Sequence, residues 1–290
     1  MDRKYLGVAA HNTVKVYEIP EPGSGKVINQ EGIFEGHNGN ITALEFQKDN
    51  KWFFTASEDG TLKVFDFKAV GFMRNFDNNG VMINSAVLHP NQGEIYFGDQ
   101  SGRVRVWDLT ENCARELYAE EEEVPISSIA ISRDAKKLVA GTNKGTCFIW
   151  RSENGEDYEP MQELIAHEGH YVLRCQFSFD GKLLATCSSD KTCAVWELAS
   201  HIIDQIDRGV TGDDDDDEDF EEYQRNGLLS GHGGWVWDCD ITCDNRTVIT
   251  VSTDQKVRIW RNGKEEIRRV LEGHTKGVTC LAFRDAPILK

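Results

Sequence analysis

An all-β chain built from one repeated four-stranded unit is what this sequence predicts, and three observations predict it. The stretch Gly231 to Trp260, GHGGWVWDCDITCDNRTVITVSTDQKVRIW, alternates with a period of two and breaks at CDN and TDQ. Such alternation, punctuated by turn formers, is the signature of short half-buried strands. An aromatic followed by a charged residue closes the same pattern at Tyr17, Phe65, Trp107, Trp150, Trp196 and Trp260, at intervals of 48, 42, 43, 46 and 64 residues. The ends of the chain are complementary: residues 1–36 lack an innermost strand, and GHTKGVTCLAF at Gly273–Phe283 is an innermost strand with nothing after it. A unit of this size repeated at this interval is a blade of a β-propeller.

Taken in order, the first blade holds KYLGVAA, a break at His11-Asn12, TVKVYE, a Pro/Gly loop and an outer strand near Lys26–Phe34. The second runs from Asn40 to about Phe76, and the third contains HPNQGEIYFGDQSGRVRVWDL with a hairpin at Pro90–Gly93. The fourth starts after Glu120–Glu123 with VPISSIAIS, and the fifth is HYVLRCQFSFDGKLLATCSSDKTCAVWE. An insertion at about Ala199 to Gln224 separates it from the sixth, and its core carries nine acidic residues between Asp213 and Glu222. A run of one charge repels itself and buries nothing, so 208–224 is expected to be a disordered, solvated loop inside one domain, 1–290. The expectation is six WD-repeat blades, with the C-terminal inner strand pairing with the N-terminal three to close the ring and remove exposed sheet edges.

Composition bounds the function. Hydrophobic residues are 39% and charged residues 28%, no apolar run reaches the length that spans a bilayer, and MDRKYLGVAA lacks a secretory core. A net charge of −17 argues against a phosphate backbone as partner, so no nucleic acid is expected. The eight cysteines include no CxxC pair and fall mostly in alternating runs, which points to buried apolar roles in a reducing compartment. No metal or cofactor is expected.

His37, His167 and His232 each open a repeat and are followed by a Ser and an Asp of the next hairpin. The sets expected are His37, Ser57, Asp59 and Phe65; His167, Ser188, Asp190 and Trp196; and His232, Ser252, Asp254 and Trp260. A lone His–Asp–Ser set would resemble a hydrolase triad, but one that recurs blade after blade reads as polar fastening. PGSGK at Pro22–Lys26 lacks the first glycine of a phosphate loop, and HEGH at His167–His170 is one residue short of a zincin helix. No active site is expected.

The residues a propeller does not need are those that start its inner strands. Repeat alignment places Asn40/Thr42, Met82/Asn84, Pro125/Ser127, Tyr171/Leu173 and Trp235/Trp237 on one rim, opposite Glu58, Gln100, Asn143, Ser189 and Thr253. Tyr171, Leu173, Trp235 and Trp237 stand out as large and apolar on adjacent blades, a candidate protein-binding surface with Met82 and Asn84 beside it.

HPNQGEIYFGDQSGRVRVWDL, the acidic turn before VPISSIAIS, GTNKGTCFIW, LRCQFSFDGKLLATCSSDKTCAVW and GGWVWDCDIT together resemble the small propeller subunit of TOR kinase complexes, the GβL or Lethal-with-Sec-Thirteen family. The resemblance covers nearly the whole chain. It implies a non-catalytic, cytoplasmic propeller that sits on an insertion in the C-terminal lobe of the TOR kinase domain and stabilises its active cleft. It also implies membership of both TOR complexes, a part in TOR signalling and growth control, and only peripheral attachment to lysosomal or vacuolar membranes through the complex. By motif match, Trp235 and Trp237 fall where that family presents aromatics to the kinase. The family has seven blades and this sequence six, so either the chain is a natural six-blade form or some 45 residues of repeat precede Met1. The alternative function is a WD-repeat receptor for peptides or substrates of another assembly such as a ubiquitin ligase; a phosphopeptide receptor would want arginines on the rim, and the rim positions hold none.

Overall fold

The computed structural model describes residues 4–20, 24, 27–67, 71–119, 123–199 and 223–283. Most of the predicted acidic loop therefore lies outside the described residues; its last two positions, Tyr223 and Gln224, begin a strand rather than ending a loop.

Among the described residues there is no helix, and the strands form six antiparallel sheets in strict chain order, the blades of a six-bladed β-propeller. Two compact units divide the chain, Met1–Ile129 and Ala130–Lys290. The first unit holds a three-stranded sheet of β1 (Tyr5–Ala10), β2 (Thr13–Glu18) and β3 (Asn29–Glu35). It continues with β4 (Ile41–Phe46), β5 (Trp52–Ser57), β6 (Thr61–Asp66) and β7 (Phe72–Asp77), then β8 (Ile83–Leu88), β9 (Glu94–Asp99), β10 (Arg103–Asp108) and β11 (Cys113–Ala119). Strand β12 (Ile126–Ile131) crosses the unit boundary and pairs in one sheet with β13 (Lys137–Thr142), β14 (Thr146–Arg151) and β15 (Glu159–Ile165). The second unit adds β16 (Val172–Phe177), β17 (Leu183–Ser188), β18 (Thr192–Leu198) and β19 (Tyr223–Ser230), then β20 (Val236–Ile241), β21 (Thr247–Ser252), β22 (Val257–Arg261) and β23 (Ile267–Leu271).

Burial follows the strand order. The second strands of the four-stranded sheets are nearly continuous buried runs, such as Leu183–Ser188, because neighbouring sheets cover both of their faces. The outer strands β7 and β23 are largely exposed. Trp107 and Trp260 are fully buried, each contributing about 3 kcal/mol of apolar burial. In the first unit Phe53 and Phe65 stack in the core of the first two sheets, and Phe34 meets them edge to face. In the second, Val172, Cys175 and Phe177 of β16 pack against the sheet that precedes it in the chain.

The ladders share an irregularity that the period-two pattern does not reveal. In four sheets the pairing of first and second strands slips by one residue, between Ile41 and Ala43, Ile83 and Ser85, Val172 and Arg174, and Val236 and Asp238. Thr42, Asn84, Leu173 and Trp237 are the extra residues of these bulges. A bulge leaves its residue outside the ladder and re-aims its side chain.

One expectation fails. Residues 273–283, the predicted closing strand, form no strand, and the first sheet has three strands rather than four. The segment's donors are spent sideways instead: Val278 N–H on the Ser252 carbonyl at 3.0 Å and Leu281 N–H on Asp238 Oδ2 at 2.8 Å. Alternation announces a strand's faces, but the ladder also needs a partner edge in register.

Candidate functional site

Four of the five predicted rim positions meet the hairpins that the repeat alignment set opposite them. The carbonyls of Asn40, Met82, Tyr171 and Trp235 accept hydrogen bonds from the N–H groups of Glu58, Gln100, Ser189 and Thr253, at 2.9, 2.9, 3.1 and 3.1 Å. Each residue just before an inner strand is thereby tied to the hairpin expected opposite it. What differs between blades is the side chain these fixed backbones carry.

In the first unit the rim is polar and self-satisfied. Asn40 donates to Glu58 Oε2 at 2.8 Å, and Thr42 Oγ1 donates to the Ile83 carbonyl at 2.8 Å. Asn84 Nδ2 repeats that reach to the Ile126 carbonyl at 2.9 Å and also meets Gln100 Oε1. Bulged Thr42 and Asn84 thus act as sideways ties from one inner strand to the next. Met82 is exposed beside them.

The second unit breaks this pattern. Tyr171 is 47% exposed and Trp235 41% exposed, and their rings meet edge to face with centroids 6.2 Å apart. Trp235 continues onto Trp237, centroids 5.8 Å apart. The three rings form a row spanning two sheets, with Tyr171 and Trp235 open to solvent and Trp237 at its half-buried end. Leu173, at the bulge position of β16, is half buried. Trp237 is also half buried; its Nε1–H is sequestered and finds no hydrogen-bond acceptor among the described residues. Bulged Trp237 cannot tie strands as Thr42 does, and an orphaned buried donor costs about 1–3 kcal/mol. Trp237→Phe is therefore expected to leave the fold intact and its urea midpoint unchanged or raised; a lowered midpoint would mean that the N–H is satisfied.

Beside Leu173 and Trp237 in the sequence, Arg174 and Asp238 pair, Arg174 Nε lying 3.2 Å from Asp238 Oδ1. Burial pushes the Asp238 carboxyl up, against the pull of Arg174 and of the Leu281 and Cys239 N–H groups.

The histidines are fasteners, with one correction to the expected sets. His37, His167 and His232 bond their aspartates through Nδ1 at 3.0, 2.8 and 3.0 Å, but Nε2 meets a threonine and not the serine: Thr55, Thr186 and Thr250, at 2.7, 2.9 and 2.7 Å. Trp196 and Trp260 complete the chain by donating Nε1–H to the same threonine oxygens at 3.1 and 2.8 Å. Phe65 has no such donor. The serines take a different task, accepting the N–H of Asp59, Asp190 and Asp254 through Ser57, Ser188 and Ser252. The signal for the threonines was present as TASED, TCSSD and TVSTD, a T-x-S-x-D repeat in three blades. His274 is exposed.

Burial holds the His37 and His232 imidazoles below their ordinary value of 6.5, against the pull of their aspartates. Burial also opposes ionisation of Asp59, yet hydrogen bonds from Thr61, the Asn38 N–H and His37 outweigh it and bring the carboxyl from 3.8 to about 2. Asp190 and Asp254 are likewise held well below the ordinary carboxylate range. Both kinds of group stabilise the fold at neutral pH. The histidines' share is complete above 6.5 and falls as the pH drops below it, because the unfolded imidazole takes up a proton that the folded one resists. The Asp59 share is complete above 3.8 and disappears as the pH falls through about 2. The urea midpoint is expected to decline between about pH 7 and pH 5 and again below about pH 4; a flat profile across the first window would show the imidazoles charged in the fold.

Five of the cysteines, at 147, 175, 187, 193 and 239, are buried, while Cys113 and Cys280 are exposed and Cys243 lies between.

Repeated four-stranded sheets, recurrent His–Asp–Thr fasteners and a rim of inner-strand starts define a WD-repeat β-propeller. The WD domain, G-beta repeat model matches residues 28–66, 223–261 and 265–286, and a Vps8 beta-propeller model matches 91–202. The crystal structure of the Myceliophteria thermophila Cps50 (Swd1) beta-propeller domain has a TM-score of 0.74, covering 94% of this chain and 85% of that one at 16% identity, a likeness of fold. Target of rapamycin complex subunit LST8 of Saccharomyces cerevisiae is 36% identical over 286 residues, 98% of this chain and 86% of that protein. The LST8 of Bos taurus is 31% identical over 294 residues, 98% of this chain and 83% of that protein. The Schizosaccharomyces pombe subunit wat1 is 44% identical over 198 residues, 67% of this chain and 61% of that protein. The chain belongs to the LST8 family.

Proposed function

We propose that this chain is a non-catalytic scaffold subunit of TOR complexes that binds the C-terminal lobe of the TOR kinase domain through its aromatic rim. The observation that carries the proposal is the Tyr171–Trp235–Trp237 row, two of whose rings are solvent-facing, in a chain whose relatives are named as TOR complex subunits. Large rigid aromatics offer much contact area at little entropic cost, which is why they dominate binding hot spots. A subunit that binds only the ordered kinase lobe shifts the lobe toward that state by mass action, and this is how a propeller without catalytic groups raises kinase output. The recurrent His–Asp pairs support the absence of catalysis, since each imidazole is engaged at both nitrogens. On this reading the protein works in the cytoplasm and reaches membranes only with its complex.

The test is co-purification with a TOR kinase C-terminal lobe, with and without the insertion that the family contacts. Capture that depends on the insertion supports the proposal. A folded chain that captures neither form overturns it.

A further inference from the structure

Three thiols converge inside the second unit from three strands. Cys187 of β17 and Cys193 of β18 are direct cross-strand partners, and Cys239 of β20 meets them from the neighbouring sheet. Their sulfurs all lie within 4.8 Å of one another, and none of the three residues is more than 3% exposed. Their distance in sequence is why no metal-ligand spacing appears there.

A buried cysteine alone is ordinary packing. The repeats decide whether packing accounts for three. Registers anchored on Ile41–Ser57, Ile83–Asp99, Val172–Ser188 and Val236–Ser252 align the sheets residue by residue. The corresponding triple between the second and third sheets is Ala56, Leu62 and Ala86, and between the third and fourth it is Gly98, Val104 and Ile129. Between the fourth and fifth it is Gly141, Cys147 and Cys175. The fold therefore accepts aliphatic side chains or glycine at every one of these places. Sulfur at all three positions of one junction exceeds what packing asks for.

We propose that Cys187, Cys193 and Cys239 form a three-sulfur binding site for a single copper(I) ion. Soft thiolates select soft metals, and copper(I) is among those they favour. With metal–sulfur bonds of about 2.3 Å, a planar three-sulfur site sets its sulfurs about 4 Å apart, so the observed cluster needs a contraction of less than about 1 Å. Zinc would need a fourth ligand. The imidazoles of this unit's fasteners do not supply one, because His167 and His232 have both nitrogens engaged by Asp190 and Thr186, and by Asp254 and Thr250. Binding is a ligand exchange without electron transfer: the ion enters and remains as copper(I), and each thiol that becomes thiolate releases its proton to solvent. The ion's charge offsets the cost of burying those thiolates.

The full chain is to be purified from copper-supplemented cells and, separately, incubated without oxygen with copper(I) against a colorimetric copper(I) chelator. The expected result is one retained copper per chain with a sulfur-only coordination shell of three atoms, and a raised melting temperature. Cys187→Ala and Cys239→Ala should each weaken retention by about a hundredfold or more, while Cys147→Ala and the exposed-thiol variants Cys113→Ser and Cys280→Ser should not. Copper retained equally by Cys187→Ala and Cys239→Ala would overturn the assignment. So would failure of the native chain to retain copper by either route, or a shell containing nitrogen or oxygen. The coordination shell is read on the unmutated chain, so the outcome does not depend on the variants folding.

Discussion

Trp235→Ala is expected to weaken capture of a TOR kinase C-terminal lobe by about thirtyfold or more, the effect of losing a hot-spot side chain worth at least about 2 kcal/mol. Trp235 precedes β20, is 41% exposed and holds its backbone in place through the Thr253 N–H, so truncating its ring removes contact area without opening the ladder. It is also the middle ring of the row, touching Tyr171 on one side and Trp237 on the other. The β circular dichroism and urea midpoint should therefore stay close to those of the parent chain. Trp237→Ala makes a poorer probe, because its half-buried ring leaves a cavity as well as a gap in the row. Pull-down with matched amounts of folded variant checks the prediction. Full capture by Trp235→Ala would mean that the row is not where the kinase lobe docks.

Thr250→Val is expected to lower stability by about 2–4 kcal/mol, and Thr55→Val by roughly half as much. The substitution keeps the shape and removes only the hydroxyl. In the sixth blade that hydroxyl is the middle of a relay: it accepts the Trp260 Nε1–H and bonds His232 Nε2, while His232 Nδ1 meets both Asp254 Oδ2 and the Arg258 guanidinium. Burial lowers the imidazole's affinity for a proton. Removing the hydroxyl strands two buried groups. In the second blade the closing aromatic is Phe65, so Thr55→Val strands only His37 Nε2. Urea unfolding of both variants measures the difference. Equal losses would show that the indole bond contributes nothing, and the fastener would then be the His–Asp pair alone.

Much of this architecture could be read before any coordinates, and the reason is repetition. A period of two assigns faces, a turn former every few residues assigns hairpins, and an aromatic at each blade's end sets the count at six sheets. Alignment of one blade on another even found the backbone partners of the rim, Tyr171 with Ser189 and Trp235 with Thr253. The histidine sets were legible as His with Asp for the same reason. Their third member was misassigned because Ser57, Ser188 and Ser252 are nearer the aspartate in sequence, whereas Thr55, Thr186 and Thr250 face the imidazole across the strand.

Three matters were settled only in the folded chain. Alternation puts Trp235 and Trp237 on one side, but the bulge between Val236 and Asp238 takes Trp237 out of the ladder and half buries it, leaving Trp235 as the exposed ring. The segment 273–283 has a strand's pattern, yet its donors are spent on Ser252 and Asp238, because a strand needs a partner edge in register as well as alternation. Cys187, Cys193 and Cys239 look like unrelated core residues along the chain, and only the packing of one sheet on the next brings their sulfurs together. Local periodicity specifies what each strand is. Register, bulges and sheet-to-sheet contact specify what each side chain meets, and those depend on partners far away in the chain.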